Sequence, residues 1–199
     1  MTESARPTKA SDASALVRRC LEGNPGAERE LFRNHKRGVH AALFRILGSN
    51  RDIEDLIQDT FIQVFRSLQT FRGDASLSTW IGRITTRVAF AYIRKRKATR
   101  ELEAQIESDD HDRETPLEAL ETKRAVAALY SVLDRLDPKH RIAYAFAVID
   151  GRPLAEVASL MEASVTATKS RVWRARREVN RRSSRDPRLA RYLSAQEQM

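Results

Sequence analysis

The side chains best suited to chemistry lie in one predicted helix, from Val165 to about Arg182. Its first two turns carry hydroxyl and cationic groups, namely Thr166, Thr168, Lys169, Ser170 and Arg171. Hydroxyls can hydrogen-bond to either base in the major groove, and Arg or Lys favours guanine. Further along lie cations that suit phosphates, namely Arg174, Arg176 and Arg177. The pattern predicts a helix that reads duplex DNA.

The segment before this helix predicts the element that positions it. Pro153 to Met161 has the apolar spacing of a short buried helix, and Glu162 to Ser164 is the expected turn. Together they predict a helix-turn-helix, whose second helix enters the major groove. The alternative is a basic amphipathic helix, either an RNA-binding arm or a membrane-surface segment. The helix break at Gly151–Pro153 and the buried support helix favour the helix-turn-helix.

A second candidate surface lies on the predicted helix that runs from Asn50 to Leu68. One side is acidic and polar, with Asp52, Asp55, Gln58 and Asp59, and the other is apolar. Carboxylates repel phosphates, so this face suits a basic or amphipathic protein partner rather than DNA. An alternative is a metal site at Asp55 and Asp59, one turn apart, but no histidine lies nearby.

Aromatic and cationic residues interleave between this helix and the next. The segment Phe71 to Trp80 contains Arg72, Gly73 and Asp74, and an arginine-rich helix capped by Ser76 or Ser78 follows. Such interleaving suits single-stranded nucleic acid, whose bases stack and whose backbone pairs with cations. Trp80 falls on the apolar stripe of the helix and is expected in the core, whereas the place of Phe71 is left open.

The charge is unevenly distributed along the 199 residues, which carry a net charge of +9. Residues 81–100 hold seven basic and no acidic side chains, residues 101–122 hold nine acids and one base, and residues 169–191 hold ten bases and two acids. Two basic blocks separated by an acidic stretch suggest two domains that face nucleic acid, joined by a linker. A further hypothesis is that the acidic stretch lies over a basic surface of its own chain and screens its charge.

Composition excludes several classes of protein. Only seven glycines and six prolines disfavour the many turns of a β-sandwich or barrel. The single cysteine, Cys20, rules out an internal disulfide and a cysteine-cluster zinc site. No apolar run approaches the roughly 20 residues of a membrane span, and Met1 to Ala10 shows no signal core. We therefore expect a soluble, intracellular, mostly helical protein whose partner is a polyanion. The cytoplasm is its expected location, and we expect no membrane insertion, no cofactor and no small-molecule substrate.

Helical periodicity organises the chain into an all-α protein with two small domains. The first spans 11–98 with four helices, the second of which begins after Asn24 and ends at Gly48. An acidic linker that we expect to be flexible covers 99–115, a helical domain ending in the helix-turn-helix covers 116–182, and a basic tail covers 183–199. In the second domain Asp137–Pro138 predicts a helix start.

Two segments resemble the bacterial sigma-70 family, in its small extracytoplasmic-function (ECF) group. They are DIEDLIQDTFIQVFRSLQTFRGDASLSTWIGRIT, similar to the second conserved region, and LDRLDPKHRIAYAF with DGRPLAEVASLM and TKSRVWRARRE, similar to the fourth. The resemblance implies a non-catalytic factor that binds core RNA polymerase at the β′ clamp helices and β flap, and promoter DNA at its −10 and −35 elements. It also implies control by an anti-sigma factor, often membrane-bound.

The resemblance assigns roles to three sets of residues. Polymerase binding would involve Asp52, Asp55, Leu56, Gln58, Asp59 and Phe61. The −10 element would meet Phe71, Arg72, Asp74, Ser76, Ser78, Thr79, Arg83, Thr86 and Arg87, with the loop capturing a flipped base. The −35 element would meet Thr166, Thr168, Lys169, Ser170, Arg171, Arg174 and Arg177.

The chain departs from the family pattern at several positions. Arg87 and Ala91 replace a common Asn and Asp on the −10 helix, and Thr166–Ala167 replaces a usual Gly-Thr. Glu162 replaces the usual turn glycine, so a positive φ is expected there at some local cost. Two rival functions stay open: a conventional dimeric helix-turn-helix regulator, and a DNA-acting metal enzyme that uses Asp52, Asp55 and Asp59.

Overall fold

The computed structural model describes residues 9–49, 51–103, 117–183 and 190, and the regular structure within these ranges is helical. The helices are α1 (Lys9–Leu21), α2 (Pro25–Leu47), α3 (Ile53–Ser67), α4 (Leu77–Glu103), α5 (Leu117–Leu133), α6 (Pro138–Tyr144), α7 (Leu154–Leu160) and α8 (Val165–Ser183). A 3-10 turn (Leu68–Thr70) follows α3, and a π-helical turn (Ala145–Ile149) extends α6. The all-α prediction is confirmed.

Several helix ends follow the capping signals in the sequence. The Asn24 side chain accepts hydrogen bonds from the Gly26 and Ala27 amides at 2.9 and 3.2 Å. Ser76 Oγ accepts from the Thr79 amide at 3.1 Å, and the Asp137 carboxylate accepts from the Lys139 amide at 2.8 Å. These side chains satisfy amides that the first helical turn leaves free, so the predicted starts at Asn24, Ser76 and Asp137 are confirmed.

Three other boundaries differ from the sequence-based expectation. Helix α1 begins at Lys9, two residues before the predicted start of the first domain at residue 11. Helix α3 begins at Ile53 after Asp52, whose side chain makes no cap hydrogen bond, and the predicted start at Asn50 lies outside the described residues. Helix α4 continues to Glu103, five residues into the predicted linker, because no glycine or proline interrupts the segment.

Helices α1 to α4 pack around one apolar core. Its fully buried side chains include Leu31, Leu43, Ile46, Ile53, Ile57, Leu68, Ile81 and Ile84. Within α2, α3 and α4 the pairs Leu43 and Ile46, Ile53 and Ile57, and Ile81 and Ile84 are three or four residues apart, which places each pair on one face of its helix. Trp80 is half-buried and packs against this core, as its place on the stripe predicts. The core fixes how α3 and α4 present their opposite faces.

The C-terminal helices form a second, smaller core. Leu129, Val132, Leu133 and Leu136 from α5 and its end pack against Tyr144, Ala175 and Val179. Val126, which periodicity also places on this stripe, is only half-buried. Because Ala175 and Val179 both lie on α8, this cluster anchors the last helix of the helix-turn-helix to the domain.

The two predicted domains share an apolar junction. Ile142, Phe146, Val157 and Leu160 are buried in the same cluster as the core residues of α2, α3 and α4. Contacts join α4 to both α6 and α7, and α2 to the π-helical turn. Amphipathic periodicity shows which face of a helix is buried but not which element covers it, so the sequence did not predict this junction.

Arg141 links the domains through buried hydrogen bonds. Its side chain is 3% exposed and donates to the Ile46 and Leu47 carbonyls at 2.8 and 3.1 Å, at the end of α2. It also pairs with Asp134. Burial lowers the pKa of Arg141, and the Asp134 carboxylate opposes that shift. The guanidinium thus satisfies carbonyls that the last turn of α2 leaves without helical partners.

Gly48 allows a close approach beside Arg141. The Tyr130 hydroxyl donates to the Arg45 carbonyl at 2.8 Å, and its ring lies over Gly48. A Cβ on Gly48 would come within 2.3 Å of that ring, and its φ of 75° is left-handed. Both the backbone and the neighbouring ring therefore require glycine at this position.

Candidate nucleic-acid interface

The acidic face of α3 is exposed, as its polar spacing predicts. Asp55, Gln58 and Asp59 face solvent, whereas Leu56 and Phe61 are buried in the core. The last two side chains therefore hold the helix in place and offer little surface to a partner. They illustrate how one sequence motif combines surface and core positions.

Ile62 extends this acidic face and was missed by sequence analysis. Its side chain is 47% exposed, although it follows the buried Phe61 directly. It lies four residues after Gln58 and seven after Asp55, which places all three on one side of the helix. That spacing was the available signal. The face thus combines carboxylates with an exposed apolar side chain.

Asp52 ties the start of α3 to α4. The Tyr92 hydroxyl donates a hydrogen bond to its carboxylate. Burial, together with this hydrogen bond, raises the pKa of Tyr92. Asp52 is half-buried, so it orients the helix that carries the other acidic side chains.

The metal-site alternative for the α3 carboxylates receives no support from their surroundings. Within the described ranges, no group of three or more His, Cys, Asp or Glu side chains is placed to hold a metal ion. Asp55 and Asp59 alone would offer fewer ligands than a protein metal site recruits.

The segment between α3 and α4 encloses a pocket of about 270 Å³. It is lined by Thr70, Phe71, Arg72, Gly73, Asp74, Ala75, Trp80, Arg83, Arg87 and Glu162. The Phe71 and Trp80 rings meet edge to face, with centroids 5.7 Å apart, and both are half-buried. Aromatic side chains beside cations suit an unstacked base and its phosphate. The structure thus brings together five of the nine predicted −10 residues, namely Phe71, Arg72, Asp74, Arg83 and Arg87.

The hydroxyls of this segment have different surroundings. Ser76 Oγ and Thr79 Oγ1 are 2.8 Å apart at the helix cap; Ser76 and Ser78 are exposed, and Thr79 is half-buried. Ser78 and Thr79 line a neighbouring cleft instead. These three side chains therefore shape the start of α4 beside the pocket.

The predicted −10 side chains of α4 face the C-terminal domain. Arg83 donates to the Ser159 carbonyl at 3.0 Å through Nε and to Ser159 Oγ at 2.9 Å through Nη2. Thr86 is buried, and its hydroxyl donates to the Gly82 carbonyl at 2.8 Å. Arg87 is exposed, with Nε 3.9 Å from a Glu162 carboxylate oxygen. In this arrangement, α7 and the following turn cover the side of α4 that carries the predicted −10 residues Arg83 and Thr86.

The helix-turn-helix itself has the predicted form. Helices α7 and α8 are joined by a turn in which Glu162 has a φ of 48°, the one positive φ of a non-glycine residue in the described ranges. The expectation of a positive φ at this position is confirmed. The Ser164 hydroxyl then accepts from the Ala167 amide at 3.1 Å and starts α8.

Most of the predicted −35 side chains are accessible on α8. Thr166, Lys169, Ser170, Arg174 and Arg177 are exposed, and Arg171 is half-buried. Thr168 differs because it is completely buried and its hydroxyl donates to the Ser164 carbonyl at 3.0 Å. It has no surface to offer a base here, so it stabilises the first turn of α8.

Trp173 is a second exposed side chain that sequence analysis overlooked. It is 58% exposed on α8, and the Arg177 guanidinium lies 5.5 Å above its ring centroid. The ring holds one of the predicted DNA-contacting cations by a cation–π interaction. Its position directly after the buried Val172 was the signal that it faces outward.

Comparisons with known proteins identify two regions. Residues 31–99 match the family model described as Sigma-70 region 2, and residues 127–179 match Sigma-70, region 4. The ECF RNA polymerase sigma factor SigE of Mycolicibacterium smegmatis is 33% identical over 155 residues, which are 75% of this chain and 59% of that protein. The ECF RNA polymerase sigma-E factor of Haemophilus influenzae is 29% identical over 173 residues, 81% of this chain and 90% of that protein.

A solved structure shares the fold. In the structure of CnrH in complex with the cytosolic domain of CnrY, one chain is 23% identical, with a TM-score of 0.57. The match covers 87% of this chain and 98% of the solved one. Separately, none of the described helices combines the length and apolar character needed to cross a membrane.

Proposed function

The chain belongs to the sigma-70 family, in its ECF group, and from that membership we propose that it binds core RNA polymerase and starts transcription at selected promoters. The observation that carries this proposal is the presence, in order, of both regions in one chain. Sigma factors are non-enzymatic, so the chain supplies recognition rather than catalysis. We propose 11–98 and 116–182 as its two domains.

Core polymerase would dock on the acidic face of α3. The exposed carboxylates of Asp55 and Asp59 offer charge complementarity to a basic partner, and Ile62 adds apolar surface. The β′ clamp helices are the proposed partner of this face, and the β flap that of the C-terminal domain. Leu56, Phe61 and Asp52 would act by holding α3 in place.

The pocket before α4 would hold a base flipped out of the −10 element. Phe71 and Trp80 supply aromatic surface, and Arg72, Arg83 and Arg87 supply cations for the strand. Stacking is worth about 1–3 kcal/mol per base. The energy of capturing the base would offset part of the cost of unpairing it.

The exposed side of α8 would read the −35 element. Arg171 lies in the second turn, where recognition helices reach base edges. Arg176 lies further along and suits a phosphate. We therefore expect the removal of Arg171 to reduce sequence specificity and the removal of Arg176 to leave it unchanged.

Arg171→Ala should weaken binding to the −35 element by about 1–3 kcal/mol and relax specificity there. Arg176→Ala is the matched control: it should weaken binding equally on matched and mismatched DNA, because phosphates carry no sequence information. Holoenzyme affinity for −35 variants of one promoter measures both. A uniform loss for Arg171→Ala would make that residue a phosphate contact.

Run-off transcription tests the proposed function. Purified core polymerase is assayed with and without the full chain. The templates are fragments of the genome that encodes the chain, beginning with the region upstream of the chain's own gene. Transcripts that require the chain would establish a sigma factor, and their start sites would locate both elements. No transcript from any fragment, together with tight binding of duplex DNA by the chain alone, would indicate a conventional regulator.

We further propose that the factor works in the cytoplasm, where polymerase acts, and that an anti-sigma factor controls it. Membrane attachment would then come from that anti-sigma factor. Affinity purification of the tagged chain from cells with a silent target promoter should recover such a partner. Recovery of the chain without such a partner would count against regulation by an anti-sigma factor.

A further inference from the structure

Two rows of opposite charge lie on neighbouring exposed faces of α2 and α3. The arginine row consists of Arg33 and Arg37, and the aspartate row consists of Asp55 and Asp59; all four side chains are exposed. Four residues span about 6 Å along a helix, so the two rows have the same spacing. Within the described residues, none of the four side chains has an ion-pair partner.

The packing of α2 against α3 sets the level of the two rows. Lys36 Nζ lies 3.2 Å from Glu54 Oε2, and the ring centroids of Phe32 and Phe61 are 4.6 Å apart. Residue numbers therefore fall along α2 as they rise along α3, which makes the two helices antiparallel. The arginine row and the aspartate row consequently lie side by side, at about the same level along the helix axes.

A two-fold axis parallel to these helices would match the rows of two copies of the chain. It places α2 of one copy over α3 of the other at the same level. Arg37 then faces Asp55 of the second copy, and Arg33 faces Asp59 of the second copy. Because a two-fold interface is isologous, both ion pairs form twice.

Exposed apolar side chains extend both rows. Phe44 lies seven residues after Arg37 and is 39% exposed, and Ile62 lies seven residues after Asp55 and is 47% exposed. Seven residues are close to two helical turns, so each apolar side chain continues the outward side of its helix. The paired rows are therefore flanked by apolar surface that a second copy would remove from water.

The charge of this part of the chain permits two copies to approach. Residues 25–67 hold seven basic and six acidic side chains, although the whole chain carries a net charge of +9. The excess positive charge therefore belongs to other segments of the chain. Repulsion between those segments is largely screened beyond about 10 Å in moderate salt, whereas the matched rows would act at contact distance.

We propose that two copies of the free chain associate as a two-fold dimer, with the arginine row of each copy against the aspartate row of the other. The patch is small and mostly charged, so the dimer is weak and salt-sensitive rather than permanent. It covers Asp55 and Asp59 and would compete with core polymerase. That competition rests on the proposed function of α3, whereas the dimer itself does not.

Sedimentation equilibrium of the full chain, without polymerase, tests the dimer. The mass of the parent chain should rise from one copy towards two as protein concentration increases, and added salt should reverse the change. Arg37→Asp and Asp55→Arg each place like charges opposite one another and should weaken association about tenfold or more. Arg135→Asp, an equal charge change to Arg37→Asp at an exposed site of the C-terminal domain, should associate as the parent does.

A mixture of the two row variants gives the sharper test. In a mixed dimer, the Arg37→Asp chain meets opposite charges on the Asp55→Arg chain at both matched positions. The mixture should therefore dimerise about as well as the parent, although neither variant does so alone. A chain that carries both substitutions should also dimerise with itself, since its reversed charges are again complementary.

Four results would overturn the proposal. They are a parent chain that stays a single copy at every concentration, an Arg37→Asp variant that associates like the parent, a mixture no heavier than its separate components, and growth beyond two copies. The last result would indicate a head-to-tail contact instead of a two-fold one. A chain that fails these tests but directs transcription remains a sigma factor, because sedimentation involves neither polymerase nor promoter.

Discussion

Asp55→Arg should abolish binding to core RNA polymerase while leaving the fold intact. Asp55 is exposed on α3 and makes none of the core contacts, so the charge reversal disturbs the surface alone. Opposed like charges across an interface cost several kcal/mol, enough to remove a complex of moderate affinity. Co-purification of the tagged chain with polymerase measures binding, and far-ultraviolet circular dichroism measures whether the helical fold is intact.

Glu54→Arg is the matched control for Asp55→Arg. Glu54 is the preceding residue, is also exposed, and points to Lys36 of α2, with Nζ and Oε2 3.2 Å apart. An equal charge reversal there should leave polymerase binding largely intact. If both variants lose polymerase alike, the docking face is not the one that carries Asp55. If Asp55→Arg retains polymerase, the docking assignment is wrong.

Arg141→Met should lower the free energy of unfolding by about 3–5 kcal/mol, the cost of breaking a buried pair by removing one partner. The substitution leaves Asp134 and the Ile46 and Leu47 carbonyls without the guanidinium donor. Methionine keeps the apolar stem but cannot donate. Urea unfolding followed by circular dichroism measures the loss.

Arg135→Met provides the comparison. Arg135 is exposed, and its loss should change stability by no more than about 0.5 kcal/mol. A stability loss below about 1 kcal/mol would mean that Arg141 does not hold the junction.

Local patterns were sufficient to predict the recognition elements. Each of these signals involves only a few neighbouring residues: the three-and-four spacing of α3, the helix break at Gly151–Pro153 and the turn at Glu162. The structure confirms those elements because caps and amphipathic faces depend on sequence neighbours. Exposed apolar side chains such as Ile62 and Trp173 were overlooked, since hydrophobicity alone suggests burial.

The extent of α4 shows a limit of the same reasoning. A stretch without apolar periodicity was expected to be linker from residue 99, yet α4 continues to Glu103. Residues beyond the core can still favour a helix. Apolar periodicity therefore marks the buried part of a helix rather than its full length. Thr168 shows the converse, since a residue type suited to base contact is used to build the first turn of α8.

Neighbouring residues are sufficient to predict the helical class, the acidic face of α3, the loop before α4 and the helix-turn-helix, because each depends on residues a few positions apart. Long-range packing, in contrast, determines that the two domains share a core, that Arg141 binds the end of α2, and that α7 covers Arg83 and Thr86. The hydrogen bonds of Arg83 and Arg141 join residues 76 and 95 positions apart. Burial of apolar surface drives such pairings, and it is non-directional, so a stripe of apolar residues does not specify its partner.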